Sequence, residues 1–139
     1  MKLWSVSDNH FEELRSLQGH QSRILHLGFS PDGKQLASSC EDASLKLWNL
    51  IRFVEFQTLS TSNSNGVVRC FSFSHDSKLL AAGNDSWTIK LWSMEVFQEV
   101  KKLQGHQAKI LAIEFTRDDK TLVSGSEDGS LKLWSVDSF

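Results

Sequence analysis

The stretch GHQAKILAIEFTRDDKTLVSGSEDGSLKLW, residues 105–134, decides the fold. Ile110 to Phe115 is a short, nearly unbroken apolar run, the pattern of a strand buried on both faces. Thr116 to Lys120 is a polar turn. Thr121 to Ser124 reads as a second strand and Glu127-Asp128-Gly129 as a second turn. Ser130 to Trp134 alternates polar and apolar residues and reads as a third strand.

The same grammar recurs upstream. Lys132-Leu133-Trp134 is the last of four copies, after Lys2-Leu3-Trp4, Lys46-Leu47-Trp48 and Lys90-Leu91-Trp92, and successive tryptophans lie 44, 44 and 42 residues apart. A period of that length marks a repeat architecture. Ile24 to Phe29, the turn Ser30-Pro31-Asp32-Gly33, Gln35 to Ser38 and Ser44 to Trp48 form one copy. Val67 to Phe73, Ser74 to Ser77, Lys78 to Ala82 and Thr88 to Trp92 form another. After each of the first three tryptophans a mixed segment follows (Phe11 to Leu17, Arg52 to Leu59, Glu95 to Leu103), read as a fourth strand with a charged outer edge. Short strands with frequent turns predict an all-β chain. Strands apolar on both faces predict sheets packed side by side around an axis.

Composition narrows the function classes. The 139 residues carry 40% hydrophobic and 23% charged side chains and a formal net charge of −2, which gives no pull toward nucleic acid or anionic membrane. No apolar run approaches the roughly 20 residues of a membrane-spanning helix. MKLWSVSDNH lacks the apolar core of a secretory signal, so a cytoplasmic location is the default expectation. Cys40 and Cys70 lack metal-ligand spacing and read as reduced, partly buried thiols.

These residues resemble the WD-repeat (WD40) β-propeller family. Gly19-His20 precedes Trp48 by 28 residues, counted from the histidine, and Gly105-His106 stands at the same distance from Trp134. Ser30 to Lys34 and Ser124 to Asp128 match family turns. One departure is uniform: the family's Asp after the tryptophan is Ser5, Asn49, Ser93 or Ser135. The resemblance implies four-stranded antiparallel blades. It also implies a hydrogen-bonded tetrad of Trp, Ser, His and Asp: Trp48, Ser38, His20 and Asp42, then Trp134, Ser124, His106 and Asp128. In the middle repeat the positions of His, Ser and Asp hold Ser64, Ala82 and Ser86, so that blade is expected to rely on apolar packing and to have a mobile loop over Ser60 to Asn65.

In family order the chain reads as the last two strands of one blade (1–18), a repeat (19–59), a degenerate repeat (60–103) and a repeat lacking its fourth strand (104–136). The expected fold is therefore a partial β-propeller, open or completed by oligomerisation. Three readings follow: a piece of a larger propeller, which is favoured, a self-assembling short chain, or a half that joins another chain.

The resemblance implies a non-catalytic scaffold for proteins or peptides, without cofactor or metal. The alternative is the propeller portion of a longer signalling or enzyme-associated protein. His20, Ser38 and Asp42 have the residue types of a hydrolase triad, but the set recurs in the last repeat and suits a structural role better. The four repeat lysines are expected in solvated channels between blades. The implied partner-binding positions, on the top rim, are Arg23, Leu25 and Glu41, then Val67, Arg69 and Asp85, then Lys109, Leu111 and Glu127. Trp87 stands in the rim turn where the other copies have Ala43 and Gly129. It is either an exposed anchor for a partner or a filler folded into the space of the missing tetrad.

Overall fold

A computed structural model describes residues 1–59 and 66–136. The expectations for Ser60 to Asn65, including the Ser64 position, lie outside the described residues. The strands are β1 (Lys2–Ser7), β2 (His10–Ser16), β3 (Ile24–Phe29), β4 (Gln35–Cys40), β5 (Leu45–Asn49), β6 (Val54–Leu59), β7 (Val68–Phe73), β8 (Leu79–Asn84), β9 (Thr88–Ser93), β10 (Gln98–Gln104), β11 (Ile110–Phe115), β12 (Thr121–Ser126) and β13 (Leu131–Ser135). They form a two-stranded sheet (β1-β2), two four-stranded blades (β3 to β6 and β7 to β10) and a three-stranded blade (β11 to β13). Every strand pairs antiparallel with its sequence neighbour. The protein is thus an all-β, open, partial propeller.

The inner strands β3, β7 and β11 come together across neighbouring blades. Leu45, Leu47, Phe71, Leu80 and Trp92 belong to the core between the first two blades. Leu91, Ile110, Phe115 and Leu122 belong to the core between the second and third. Burying each such side chain contributes about 1.5–3 kcal/mol. The blades approach closely at Gly83, where a Cβ would overlap the Ile110 side chain.

The turns between the first two strands of each blade share one device. Ser30, Ser74 and Thr116 donate a hydroxyl hydrogen bond to Asp32, Asp76 and Asp118, at 2.6, 2.7 and 2.7 Å. Each aspartate also accepts from the backbone N–H of Lys34, Lys78 or Lys120. Neighbouring turns are tied together. The Asp32 amide donates to Ser77 Oγ, and the His75 and Asp76 amides donate to the Asp119 carboxylate. These links hold the bottom of the assembly and leave the opposite turns free to carry other chemistry.

Candidate functional site

In the Trp48 blade, Ser38 on β4 stands between two ring groups. Trp48 Nε1 donates to Ser38 Oγ at 2.8 Å, and His20 Nε2 lies 2.6 Å from the same oxygen. Ser38 Oγ thus links the indole to His20 Nε2, and the other ring nitrogen is Nδ1. That nitrogen meets Ser44 Oγ at 2.9 Å, while Asp42 Oδ2 stays 3.7 Å away. Ser44 therefore bridges histidine and aspartate. In the Trp134 blade the chain of bonds is direct. Trp134 Nε1 donates to Ser124 Oγ at 2.8 Å, His106 Nε2 meets that oxygen at 2.8 Å, and His106 Nδ1 reaches Asp128 Oδ2 at 2.9 Å.

Each aspartate also caps the Gly-His turn, accepting from the Gln21 or Gln107 amide. Burial opposes ionisation of Asp42, but the Ser44 hydroxyl and the Ser44 and Gln21 amides overcome it and hold the carboxyl well below its usual range. The Ser130 hydroxyl and the Gln107 amide do the same for Asp128. Burial lowers the His20 pKa, with Asp42 opposing, so His20 is neutral at pH 7.

The arrangement ties the second and third strands of each blade to the Gly-His turn, and its serine hydroxyl lies inside the blade. Ser38 Oγ is completely buried, between the Trp48 indole and His20 Nε2. The structure also brings Cys40 near His20 and Asp42: potential ligand atoms of the three lie within 4.8 Å of one another. Turn hydrogen bonds occupy His20 Nδ1 and both Asp42 oxygens, so the geometry serves the turn.

The Trp92 blade holds its turn differently. Asn84 is buried at the end of β8, and its Oδ1 accepts from the Ser86 amide at 2.9 Å and from the Thr88 hydroxyl at 3.1 Å. A polar device thus accompanies the apolar packing expected there. It escaped the sequence reading because Asn84 is not a tetrad position.

Above the tetrads lies the rim. Glu41, Asp85 and Glu127 each donate a backbone N–H to the carbonyl of Arg23, Val67 or Lys109, at 2.9, 3.1 and 3.0 Å, which sets the rim positions at equivalent places in three blades. Arg23 Nη1 lies 3.4 Å from Glu41. Arg69 grips Asp85 with two parallel bonds of 2.8 and 2.9 Å, which hold the Asp85 carboxyl below its usual range. Glu41 and Glu127 of the flanking blades add to the field on Arg69, and Lys109 adds to that on Asp85. Leu111 is exposed, whereas Leu25 and Val67 are half-buried.

Trp87 lies in the rim turn with 52% of its surface exposed. Its φ is +63°, matching Ala43 at +63° and Gly129 at +79° in the other blades. A bulky residue at this conformation is an outlier, since Cβ crowds the backbone. The indole is half exposed, and in the same turn Asn84 Oδ1 accepts from the Thr88 hydroxyl.

The model for the family described as "WD domain, G-beta repeat" matches residues 11–49, 54–93 and 97–135. The chain belongs to this family. Over 49 residues, 35% of the chain, it is 45% identical to ribosome assembly protein 4 of Chaetomium thermophilum, covering 10% of that protein. Over 50 residues, 36% of the chain, it is 44% identical to the human serine-threonine kinase receptor-associated protein, covering 14% of it. A crystal structure of RRP9 WD40 repeats superimposes with a TM-score of 0.84 at 30% identity, over 89% of this chain and 38% of that one. A structure of U3-55K gives 0.85 at 29%, over 89% and 39%. The chain therefore spans well under half the length of these relatives.

Proposed function

We propose that this chain is a non-catalytic docking platform that holds a protein or peptide on its rim. The observation that carries the reading is Trp87, a large aromatic held half-exposed in a strained turn beside the bidentate Arg69–Asp85 pair. Aromatic and arginine side chains dominate binding energy at protein interfaces. Strain of this kind persists where surrounding structure enforces it, often at ligand clamps. Buried tetrads and latched bottom turns supply a rigid base, so little ordering is needed on binding.

A second reading rests on the share of relatives covered. A chain spanning 38–39% of comparable propellers suits the propeller portion of a longer signalling or enzyme-associated protein, with the same rim as its contact surface. A reducing compartment such as the cytoplasm fits the free, buried thiols of Cys40 and Cys70.

The test is selection of binders to the wild-type chain from a displayed random peptide library, followed by a screen against Trp87→Ala. The enriched peptides should lose binding to the variant, whose melting stays cooperative. Peptides that bind both proteins equally would remove the rim from the account.

A further inference from the structure

Several charged pairs run along the outer strands of the blades. Lys2, Lys46 and Lys90, expected in solvated channels, instead reach Glu13, Glu55 and Glu99 on the neighbouring strand at 2.7, 2.7 and 2.8 Å. The Arg69–Asp85 pair stands elsewhere, at the start of an innermost strand. A bulge sets its place. The pairing of β7 with β8 skips from Val68 to Cys70. In the flanking blades it skips from Ile24 to His26 and from Ile110 to Ala112. The extra residues are therefore Leu25, Arg69 and Leu111, at one position in three successive blades. A bulge re-aims the side chain of its extra residue. β7 packs against both β3 and β11, so Arg69 stands in the middle, with a leucine from each flanking blade beside it. Its side chain is 37% exposed, Leu111 is exposed and Leu25 is half-buried.

The bonds that Arg69 makes restrict what it can bind. Nε and Nη2 both donate to the Asp85 carboxylate, at 2.8 and 2.9 Å. Glu41 and Glu127 add negative potential around the guanidinium, Lys109 acts on Asp85, and Arg23 lies 3.4 Å from Glu41. Bases and acids are thus equal in number, and no surplus positive charge draws an anion to the patch. The two bonds to Asp85 occupy the edge of the guanidinium and leave its flat face. Such planes stack on aromatic rings, which a lysine in the same place would not do.

We propose that the rim takes an aromatic side chain of a partner peptide, stacked on the Arg69 guanidinium between Leu25 and Leu111. The inference rests on the rim-docking reading above and names the chemistry of what docks. Asp85 already fixes the guanidinium plane, so little ordering is lost on binding. The flanking leucines add apolar contact around the ring.

The test uses two displayed random peptide libraries, alike except that one omits Phe, Tyr and Trp. Selection against the wild-type chain should yield binders from the full library and none from the other. Replacing the aromatic residue of a selected peptide with leucine should weaken binding at least about tenfold, as should Arg69→Lys in the protein. Leu111→Asp, at an exposed position, should do the same and serves should Arg69→Lys fail to fold. In NMR spectra of the wild-type complex the Arg69 Nε–H proton should move upfield under the ring current, and the leucine-substituted peptide should not move it so. Binders from the aromatic-free library, no binders from either, or affinity indifferent to Arg69→Lys or to Leu111→Asp would overturn the proposal. So would an Nε–H proton that stays in place or moves downfield, as a bound carboxylate would make it do. Peptides that lose binding to Trp87→Ala but ignore Arg69→Lys would sink this inference and leave the rim reading standing. Peptides that bind Trp87→Ala as well as wild type would remove the rim reading itself.

Discussion

Ser38 and Ser39 are neighbours on β4, both with 0% of their surface exposed, and replacing each with alanine should have opposite effects. Ser38 Oγ takes the Trp48 indole at 2.8 Å and meets His20 Nε2 at 2.6 Å. Ser38→Ala orphans a buried N–H at about 1–3 kcal/mol and removes a second bond worth about 1 kcal/mol, a total near 2–4 kcal/mol. Ser39 Oγ, on the other face, has no hydrogen-bond partner among the described residues. Ser39→Ala removes an unpaired buried hydroxyl and should be neutral or stabilising by up to about 1 kcal/mol. Urea unfolding followed by tryptophan fluorescence resolves the difference. With a slope of about 2 kcal/mol per molar urea, the Ser38→Ala midpoint should fall by roughly 1–2 M and the Ser39→Ala midpoint should hold or rise. Equal midpoints for the two variants would refute the view that the tetrad, and not burial of the strand, fixes this blade.

Asn84→Ala removes the acceptor shared by Ser86 and Thr88 and should cost about 1–3 kcal/mol in the same assay, with the loss greatest for probes in the Trp92 blade. Gly83→Val would drive a side chain into Ile110 across the blade junction; thermal melting should show a loss of about 1–3 kcal/mol. Acid should destabilise the protein in two stages. Burial lowers His20 below its ordinary 6.5, so below that pH the unfolded chain takes up a proton the folded chain does not, and stability falls. Asp42, Asp85 and Asp119 lie below their ordinary 3.8 in the folded state, so their stabilisation is complete above that value and is lost as pH falls through the lower folded values. Unfolding free energy measured from pH 8 to pH 3 should therefore decline with acid, and a profile that rises on acidification would contradict these assignments.

The repeat was legible because its signals are local. Trp spacing, apolar runs and Gly or Asp turns each lie within a few residues, and β3 (Ile24–Phe29) and β9 (Thr88–Ser93) stand where those signals put them. The outer strands were less legible. Arg52 to Leu59 carries a strand only from Val54, because Asn49 to Phe53 is a turn in which Asn49 Oδ1 accepts from the Ile51 and Arg52 amides. Side-chain partners across strands were hardest to see. Ser44 intervening between His20 and Asp42, and Glu13, Glu55 and Glu99 answering the lysines, depend on register and on the bulges at Leu3/Trp4 and Leu47/Trp48, which shift the pairing by one residue. The positive φ of Trp87 carried a signal: it shares its turn position with Gly129, a residue that adopts such a backbone without strain.

Amide hydrogen exchange of the free protein and of its complex with a library-selected peptide tests the docking claim most directly. Slowed exchange on binding should concentrate in the rim turns, around Glu41, Asn84 to Thr88 and Glu127, while the bottom turns at residues 30–34, 74–78 and 116–120 remain unchanged. Protection confined to the bottom turns, or to the β13 edge, would contradict a rim built around Trp87.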